Sequence, residues 1–182
     1  YLLGETRSNA AVDVLLEGLT HAEESVRRSS CYGLKISGSA HAMKILPFVD
    51  NQRVSIRRLA VYALGESSNG PNAQVVRALL EALTKDPDDL VRSNAAYAMG
   101  QIFRCKDADF SLAIDALIQR LAPRVEPNNT VVALFPRSTV RQSIAYSLLQ
   151  AACNHEFSAA QIEKLLALTL EDDDRYVQGF AI

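Results

Sequence analysis

The side chains able to do acid–base or metal chemistry in this sequence are few and scattered. One His-Glu dipeptide, His155-Glu156, stands alone, and His21 and His41 are isolated. The acidic run at residues 172–174 suits a helix start, where negative charge is favoured without any metal. The sequence contains no phosphate-binding glycine loop, His-Glu-x-x-His zinc motif or plausible nucleophile–base pair. It therefore predicts no catalytic residue, no metal and no cofactor.

Composition narrows the classes of partner and compartment. The 182 residues carry a formal net charge of −2, which gives no overall attraction to nucleic acid or anionic lipid. No apolar run approaches the ~18 residues of a membrane span, so we expect no membrane contact. The cysteines lack Cys-x-x-Cys spacing and are typical of free thiols in a reducing compartment, so we expect a cytoplasmic protein. They are Cys31, Cys105 and Cys153.

A recurring frame of arginine and tyrosine carries the residues best suited to binding. Residues 56–66 read I-R-R-L-A-V-Y-A-L-G-E, in which a β-branched residue is followed directly by Arg, and Tyr stands six residues after it. The same spacing occurs four times, so the chain is a repeat array. The copies are Val26-Arg27 with Tyr32, Ile56-Arg57 with Tyr62, Val91-Arg92 with Tyr97, and Val140-Arg141 with Tyr146.

The distances between successive tyrosines indicate paired-helix repeats. Counted from Tyr1, the intervals are 31, 30, 35 and 49 residues. Each interval contains one further apolar segment with helical spacing, such as Val75, Leu79 and Leu83. We call these segments the A helices and the Arg–Tyr segments the B helices. The prediction is an all-α fold, an α-solenoid of about five helix pairs in which residues 1–182 form a single solenoid.

Both ends of the chain fall within a repeat. Residues 1–5 match residues 62–66, and residues 176–178 begin a further copy of the B frame. We therefore expect an excerpt of a longer protein, truncated mid-repeat at both ends. Half-repeats leave apolar faces without the neighbour that would cover them, so weak end-to-end self-association is also expected.

The segments D-L-V-R at residues 89–92 and A-A-Y-A-M-G-Q-I at residues 95–102 resemble HEAT repeats, particularly the short bacterial kind grouped with phycobilisome-lyase repeats. The resemblance covers the chain apart from residues 122–136. It implies a non-catalytic scaffold that binds protein partners along a concave face lined by the B helices. HEAT-like di-iron hydroxylases need paired His-Glu dipeptides, and this chain has one.

Two alternative functions stay open. One is a bilin-lyase-like subunit that handles a chromophore, because the short repeats resemble that group. The other is a nucleic-acid-binding HEAT-like module, which would need a broad basic groove with interleaved aromatic residues. Ser93 and Gln142 replace arginine in the later repeats, and this favours a protein partner over DNA.

A helical wheel separates the roles of residues along each B helix. In the second copy Leu59, Ala60, Ala63 and Leu64 cluster on the face that we expect to be buried. Glycines near the end of the B helices are expected opposite that face. They are Gly4, Gly65 and Gly100.

The first arginine of each frame lies at the edge of the expected core. It either pairs with acidic residues or carbonyl groups at a neighbouring repeat, forming a ladder along the stack, or belongs to a ligand-binding row. We expect Arg57 and Arg92 to lie at repeat boundaries, and Gln178 replaces the arginine in the last copy. The ladder residues are Arg27, Arg57, Arg92 and Arg141.

The residue directly after the first arginine and the tyrosine four residues later are neighbours on the helix surface, and both point away from the core. Arg58, which occupies this second position in the second copy, is therefore expected to be largely exposed. The tyrosine rings either pack between adjacent B helices or form a partner-binding row, because Tyr and Arg are favoured at binding hot spots. The candidate binding residues are Arg28, Tyr32, Arg58, Tyr62, Tyr97 and Tyr146.

An insertion at residues 122–136 interrupts the repeats between an A helix and a B helix. Its three prolines prevent a continuous helix. Loops of this length are uncommon in compact units and are often functional. The segment is expected to be either a binding lid or a decorative insertion folded onto the surface.

Overall fold

The computed structural model describes residues 2–37, 41–67, 72–106, 109–121, 140–170 and 172–179. Within these ranges all regular structure is helical, and the predicted all-α fold is confirmed. The elements in chain order are α1 (Leu2–Thr6), α2 (Asn9–Leu19), α3 (Glu24–Ser37), α4 (Ala42–Ile45), a 3-10 turn (Leu46–Phe48), α5 (Val54–Ser67), α6 (Ala73–Lys85), α7 (Asp89–Ile102), α8 (Ser111–Leu121), α9 (Val140–Ala152), α10 (Ala159–Thr169) and α11 (Arg175–Gly179).

Local sequence determines where several helices begin. At four of them a short polar side chain accepts a hydrogen bond from a backbone N–H of the first turn, and each such cap contributes about 1 kcal/mol. At α10 the Gln161 side chain also accepts from the backbone N–H of Ser158, which completes a capping box. The capping residues are Ser8, Asn72, Asp88 and Ser158.

The helices alternate between two layers. Helices α1, α3, α5, α7, α9 and α11 pack against one another in that order and form the B layer. Helices α2, α4, α6 and α8 each pack on the B helix that follows them, and α10 packs on α8. In chain order the described helices alternate A and B five times after α1, which agrees with the prediction of about five pairs.

Contacts between neighbours are much more extensive in the B layer than in the A layer. Small residues on the B helices allow this close approach, and Ala60, Ala63, Ala95 and Ala98 are fully buried. Close spacing on one side of a stack and wider spacing on the other bends the stack toward the closely packed side. The closer packing of the B layer favours curvature toward it, so the expectation that the B helices line the concave side stays a prediction.

Three glycines of the B helices, Gly4, Gly65 and Gly100, lie in close contacts within the B layer. A Cβ atom at Gly65 would be 2.4 Å from the Cα of Ala98, and one at Gly4 would be 2.5 Å from the carbonyl oxygen of Gly33. A Cβ at Gly100 would be 3.0 Å from the Ser147 hydroxyl. The expectation that these glycines lie opposite the buried face is wrong, because a B helix is buried against both its A partner and its B neighbours.

The second A segment is shorter than its apolar pattern predicts. Helix α4 has four residues and continues into the 3-10 turn at Leu46–Phe48, which contains Pro47. Proline has no backbone N–H to donate and clashes with the preceding turn of an α-helix, so the α-helix ends there. Ile45 and Val49 are nevertheless buried, and the segment still covers the core.

Candidate functional site

The ladder arginines make their clearest contact at the boundary between α5 and the turn before α7. Arg57 donates from Nε to Asp86 Oδ2 at 2.7 Å and from Nη2 to Asp86 Oδ1 at 3.1 Å. Its Nη1 donates to the carbonyl oxygens of Asn51 and Gln52 in its own turn. Both partners of the ion pair are mostly buried, and the planar fork of arginine fixes the position of Asp86. This contact sets the register between two repeats.

A bidentate arginine–aspartate pair recurs at the last described boundary through a different edge of the guanidinium, because Nη1 and Nη2 of Arg141 hold the carboxylate while its Nε donates to the Leu121 carbonyl oxygen at 3.1 Å. Arg141 makes a bidentate ion pair with Asp172 in the turn before α11. Arg92 contacts its own turn, with Nη1 on the carbonyls of Asp86 and Pro87 and Nη2 on Asp89. At position 178 the glutamine amide donates to the Asp172 carbonyl at 2.6 Å.

The arginine at the second position is less exposed than expected. Arg58 donates from Nε to Asp88 Oδ1 at 2.8 Å and from Nη2 to Asp88 Oδ2 at 2.6 Å, and its side chain is 36% exposed. The expectation of a largely exposed Arg58 is therefore wrong, because Asp88 of the next repeat holds it. Gln142 makes the equivalent contact, donating to Asp174 at 2.8 Å.

The acidic partners of these side chains are marked in the sequence by an Asp-x-Asp spacing. Asp86 and Asp88 stand six and four residues before Arg92, and Asp172 and Asp174 stand at the same offsets before Gln178. In both turns the first aspartate also accepts the backbone N–H of the second at 2.9 Å. An Asp-x-Asp turn before one B helix thus predicts the carboxylates that bind the polar side chains at the start of the preceding B helix.

Three of the four predicted tyrosines form a stack across the B layer. The rings of Tyr62 and Tyr97 have centroids 6.0 Å apart and planes inclined by 16°. The Tyr97 and Tyr146 rings are 5.8 Å apart and inclined by 14°. Tyr62 is only 7% exposed. These contacts support the interpretation that the rings pack between adjacent B helices.

Polar groups at the end of this stack form a network that the sequence did not predict. Lys35 Nζ lies 3.0 Å from Glu66 Oε1 and donates to the Tyr62 hydroxyl at 3.3 Å. Burial lowers the pKa of Lys35, but its bonds to Glu66 and Tyr62 outweigh burial and leave the pKa above its usual value. The Tyr97 hydroxyl donates to Glu66 at 3.2 Å. Burial, followed by the charge of Glu66, raises the pKa of Tyr97.

Helix α3 presents the most exposed part of the predicted binding row. Tyr32 is 38% exposed, compared with 7% for the equivalent Tyr62. The Arg28 side chain is 60% exposed, and among the described residues its one ion pair is the intrahelical pair with Glu24 at 3.3 Å. Arg28 and Tyr32 are one helical turn apart, so both are presented on one surface of α3. We call this exposed surface of the B layer the α3 outer face.

The candidate residues for chemistry take structural positions. His155 contacts the Phe103 carbonyl oxygen through Nε2 at 2.7 Å and packs edge-on against the Phe103 and Phe110 rings. Burial raises the pKa of Cys31 to about 12, which makes its thiol a poor nucleophile. In the described residues, no group of three or more histidine, cysteine or acidic side chains is placed to hold a metal ion. The insertion at residues 122–136 lies outside the described residues.

Comparison with known proteins agrees with this architecture. Residues 43–128 match the family model described as HEAT repeats. The crystal structure of an engineered protein, a target of the Northeast Structural Genomics Consortium, is similar with a TM-score of 0.59 and 19% sequence identity. The similarity covers 94% of this chain and 76% of that one, and at this identity it shows the fold alone. No curated protein matches the chain.

Proposed function

We propose that this chain is a non-catalytic scaffold that binds a protein partner along its concave side, because residues 43–128 match HEAT repeats and the solenoid architecture continues beyond them. HEAT repeats typically serve as protein-interaction scaffolds. In this proposal residues 1–182 act as one solenoid, and the B helices supply the contact surface. None of the described helices is long and apolar enough to cross a lipid bilayer.

The α3 outer face is the observation that carries this proposal. Along the B layer, the residues equivalent to Arg28 and Tyr32 are tied to neighbouring repeats, as Arg58 is to Asp88 and Tyr62 to Tyr97. On α3 the same two residue types remain available to a partner. Arginine and tyrosine bury large, rigid or multiply hydrogen-bonding groups, which is why they dominate binding hot spots. We therefore place the centre of the partner interface on α3.

The proposed compartment rests on the cysteines, and the alternative functions lack support of their own. Cys31, Cys105 and Cys153 are free thiols, which supports a cytoplasmic location. Specific observations favouring a bilin or a nucleic acid are lacking among the described residues. The phycobilisome-lyase kind of repeat is not distinguished by the matched model and stays a prediction.

Site-specific photo-cross-linking tests the proposal. A benzoylphenylalanine at position 32 is expected to capture a protein from the source lysate, and the same group at position 14 is the matched control. Val14 is 53% exposed but lies on an A helix. The reaction at position 32 should be lost in an Arg28→Glu background whose thermal unfolding is unchanged. Equal labelling at positions 14 and 32 would contradict a concave-side interface.

A further inference from the structure

The boundary between α3 and α5 lacks the ion pairs that join α5 to α7. At the boundary between α5 and α7, Arg57 and Arg58 each hold an aspartate of the following turn through two hydrogen bonds. On α3 the equivalent arginines stay within their own repeat. Arg27 donates to two carbonyl oxygens of its own turn, and Arg28 pairs with Glu24 of the same helix. Among the described residues, neither arginine donates to the turn that precedes α5.

The sequence of the turn before α5 explains this difference. Asn51 and Arg53 occupy the positions equivalent to Asp86 and Asp88. Asn51 keeps the turn, because its Oδ1 accepts the Arg53 backbone N–H at 2.9 Å, but its other side-chain group is an NH2 that cannot accept from Arg27. The buried Nε of Arg27 has no hydrogen-bond partner in the described part of the chain. An unpaired buried donor costs free energy that hydration recovers, so it favours opening of this boundary.

The stack of tyrosine rings also stops at this boundary. Tyr62 stacks on Tyr97, and Tyr97 on Tyr146, whereas Tyr32 makes no ring contact with a described residue. Lys35 lies over the Tyr62 ring instead, with Nζ 5.4 Å from the ring centroid. Helix α3 packs less extensively on α5 than α5 does on α7, and more extensively on α1 and α2 together than on α5. The packing therefore groups α3 with α1 and α2.

None of the described side-chain contacts across this boundary is a bidentate ion pair. Lys35 pairs with Glu66 at 3.0 Å, but an ammonium group is a point charge and does not fix orientation as a guanidinium fork does. The Cys31 thiol is a weak donor to the Leu59 carbonyl oxygen. Further contacts are made by Lys44 and Arg53. The boundary is thus held without the contacts that set the register between α5 and α7.

We propose that α1, α2 and α3 form a unit that detaches from the rest of the solenoid by opening at the boundary between α3 and α5. Helices α5, α7 and α9 separate from one another only at a higher free energy. In a stack whose repeats contact only their neighbours, the stability of each unit depends on its interfaces, so the interface without bidentate pairs opens first. The α3 outer face moves with the detached unit, and its position relative to α5 is not fixed. This inference goes beyond the proposed function, since it holds whether or not a protein binds that face.

Backbone hydrogen exchange of the unaltered chain under native conditions tests this opening. The amides of Leu15 in α2 and Cys31 in α3 should share one opening free energy and, relative to their intrinsic rates, exchange at least about tenfold faster than that of Met99 in α7. Asn51→Asp supplies the missing carboxylate oxygen, and it should slow exchange in α2 and α3 at least about fivefold while leaving α7 unchanged. Gln52→Asp adds the same charge at the neighbouring exposed position and should change neither.

A reciprocal variant makes the test independent of the turn before α5. Asp86→Asn gives the turn before α7 the same missing carboxylate, and it should bring the exchange of Ala60 in α5 close to that of Cys31. Several results would overturn the inference. They are equal protection of α3 and α7, a gradual rise in protection from α1 through α5 of the kind that a fraying chain end produces, or equal effects of Asn51→Asp and Gln52→Asp.

Discussion

The ring of Tyr62 lies 6.0 Å from that of Tyr97, in nearly parallel planes, although the two residues belong to different repeats. Tyr62 is thus part of the contact between α5 and α7. We expect Tyr62→Ala to lower the free energy of unfolding by about 3–5 kcal/mol, as other aromatic core truncations do. Tyr62→Phe keeps the stack and removes only the hydrogen bond from Lys35, so it should cost about 1 kcal/mol or less.

Tyr32→Ala is the matched control for this series, because Tyr32 is 38% exposed. Its expected cost, measured by urea unfolding, is at most about 1 kcal/mol. A similar loss in Tyr32→Ala and Tyr62→Ala would argue against packing of the rings between B helices as the main role of Tyr62. A small loss of unfolding free energy in Tyr62→Ala would instead favour a role of Tyr62 in partner binding.

The loss of stability in a glycine-to-alanine variant should depend on which atoms the added methyl group contacts. At Gly65 it meets the backbone of Ala98, which cannot move without separating α5 from α7, so Gly65→Ala should destabilise by about 3 kcal/mol or more. At Gly33 the nearest atom is Leu15 Cδ2 at 2.5 Å, the mobile end of a side chain, and a smaller loss is expected. At Gly179 nothing lies within 4 Å, so Gly179→Ala should be neutral. Thermal unfolding of the three variants checks this order, and a Gly65→Ala variant as stable as Gly179→Ala would contradict it.

Much of the architecture was predictable because the repeat frame carries it. The Tyr spacing and the apolar A segments predicted the helix pairs, and the small residues at Ala63 and Ala98 marked the buried face. A wheel drawn for one helix has a single buried face, so it placed Gly65 wrongly. Pairings such as Arg58 with Asp88 depend on the offset between two turns, which requires the sequence of one repeat to be compared with that of the next.

Asp88 combines two functions that substitutions can separate. It caps α7 by accepting the Val91 N–H at 3.0 Å and holds Arg58 across the repeat boundary. Asp88→Asn keeps a good capping residue and loses the charge, whereas Asp88→Ala loses both. We expect losses of less than about 1 kcal/mol for the first and about 1–2 kcal/mol for the second, measured by urea unfolding at neutral pH.

The same pair contributes to acid stability, with a sign that follows from the pKa of Asp88. Burial raises this pKa, but the hydrogen bonds from Arg58 and the Val91 N–H outweigh it and hold the pKa below its usual range. The stabilisation is therefore fully present above the ordinary aspartate pKa of about 3.9 and is lost as the pH falls through the lower folded value. Asp88→Asn should lose less stability between about pH 4 and pH 2 than the unaltered chain. Asp173→Asn, at an exposed position, is the control; parallel acid unfolding curves for all three proteins would refute this role.

The first helix should mediate weak association between copies of this chain. Leu2 and Leu3 are 86% and 44% exposed, and with Leu15 and Val26 they line a groove of about 540 Å³ beside α3. At the other end Tyr176 is 71% exposed. Burying such apolar surface against a second copy contributes roughly 25 cal/mol per Å², and the loss of translational and rotational freedom on association opposes this gain, so we expect the association to be weak.

Sedimentation velocity across a concentration series tests this association. The unaltered chain should shift toward larger species as its concentration rises, and Leu2→Glu should abolish the shift. Leu112→Glu is the matched control, because Leu112 is 85% exposed but lies on α8, away from both terminal helices. If the unaltered chain stayed monomeric at every concentration, the predicted end-to-end association would be wrong. An equal loss of association in Leu112→Glu would instead assign it to the surface of the A helices.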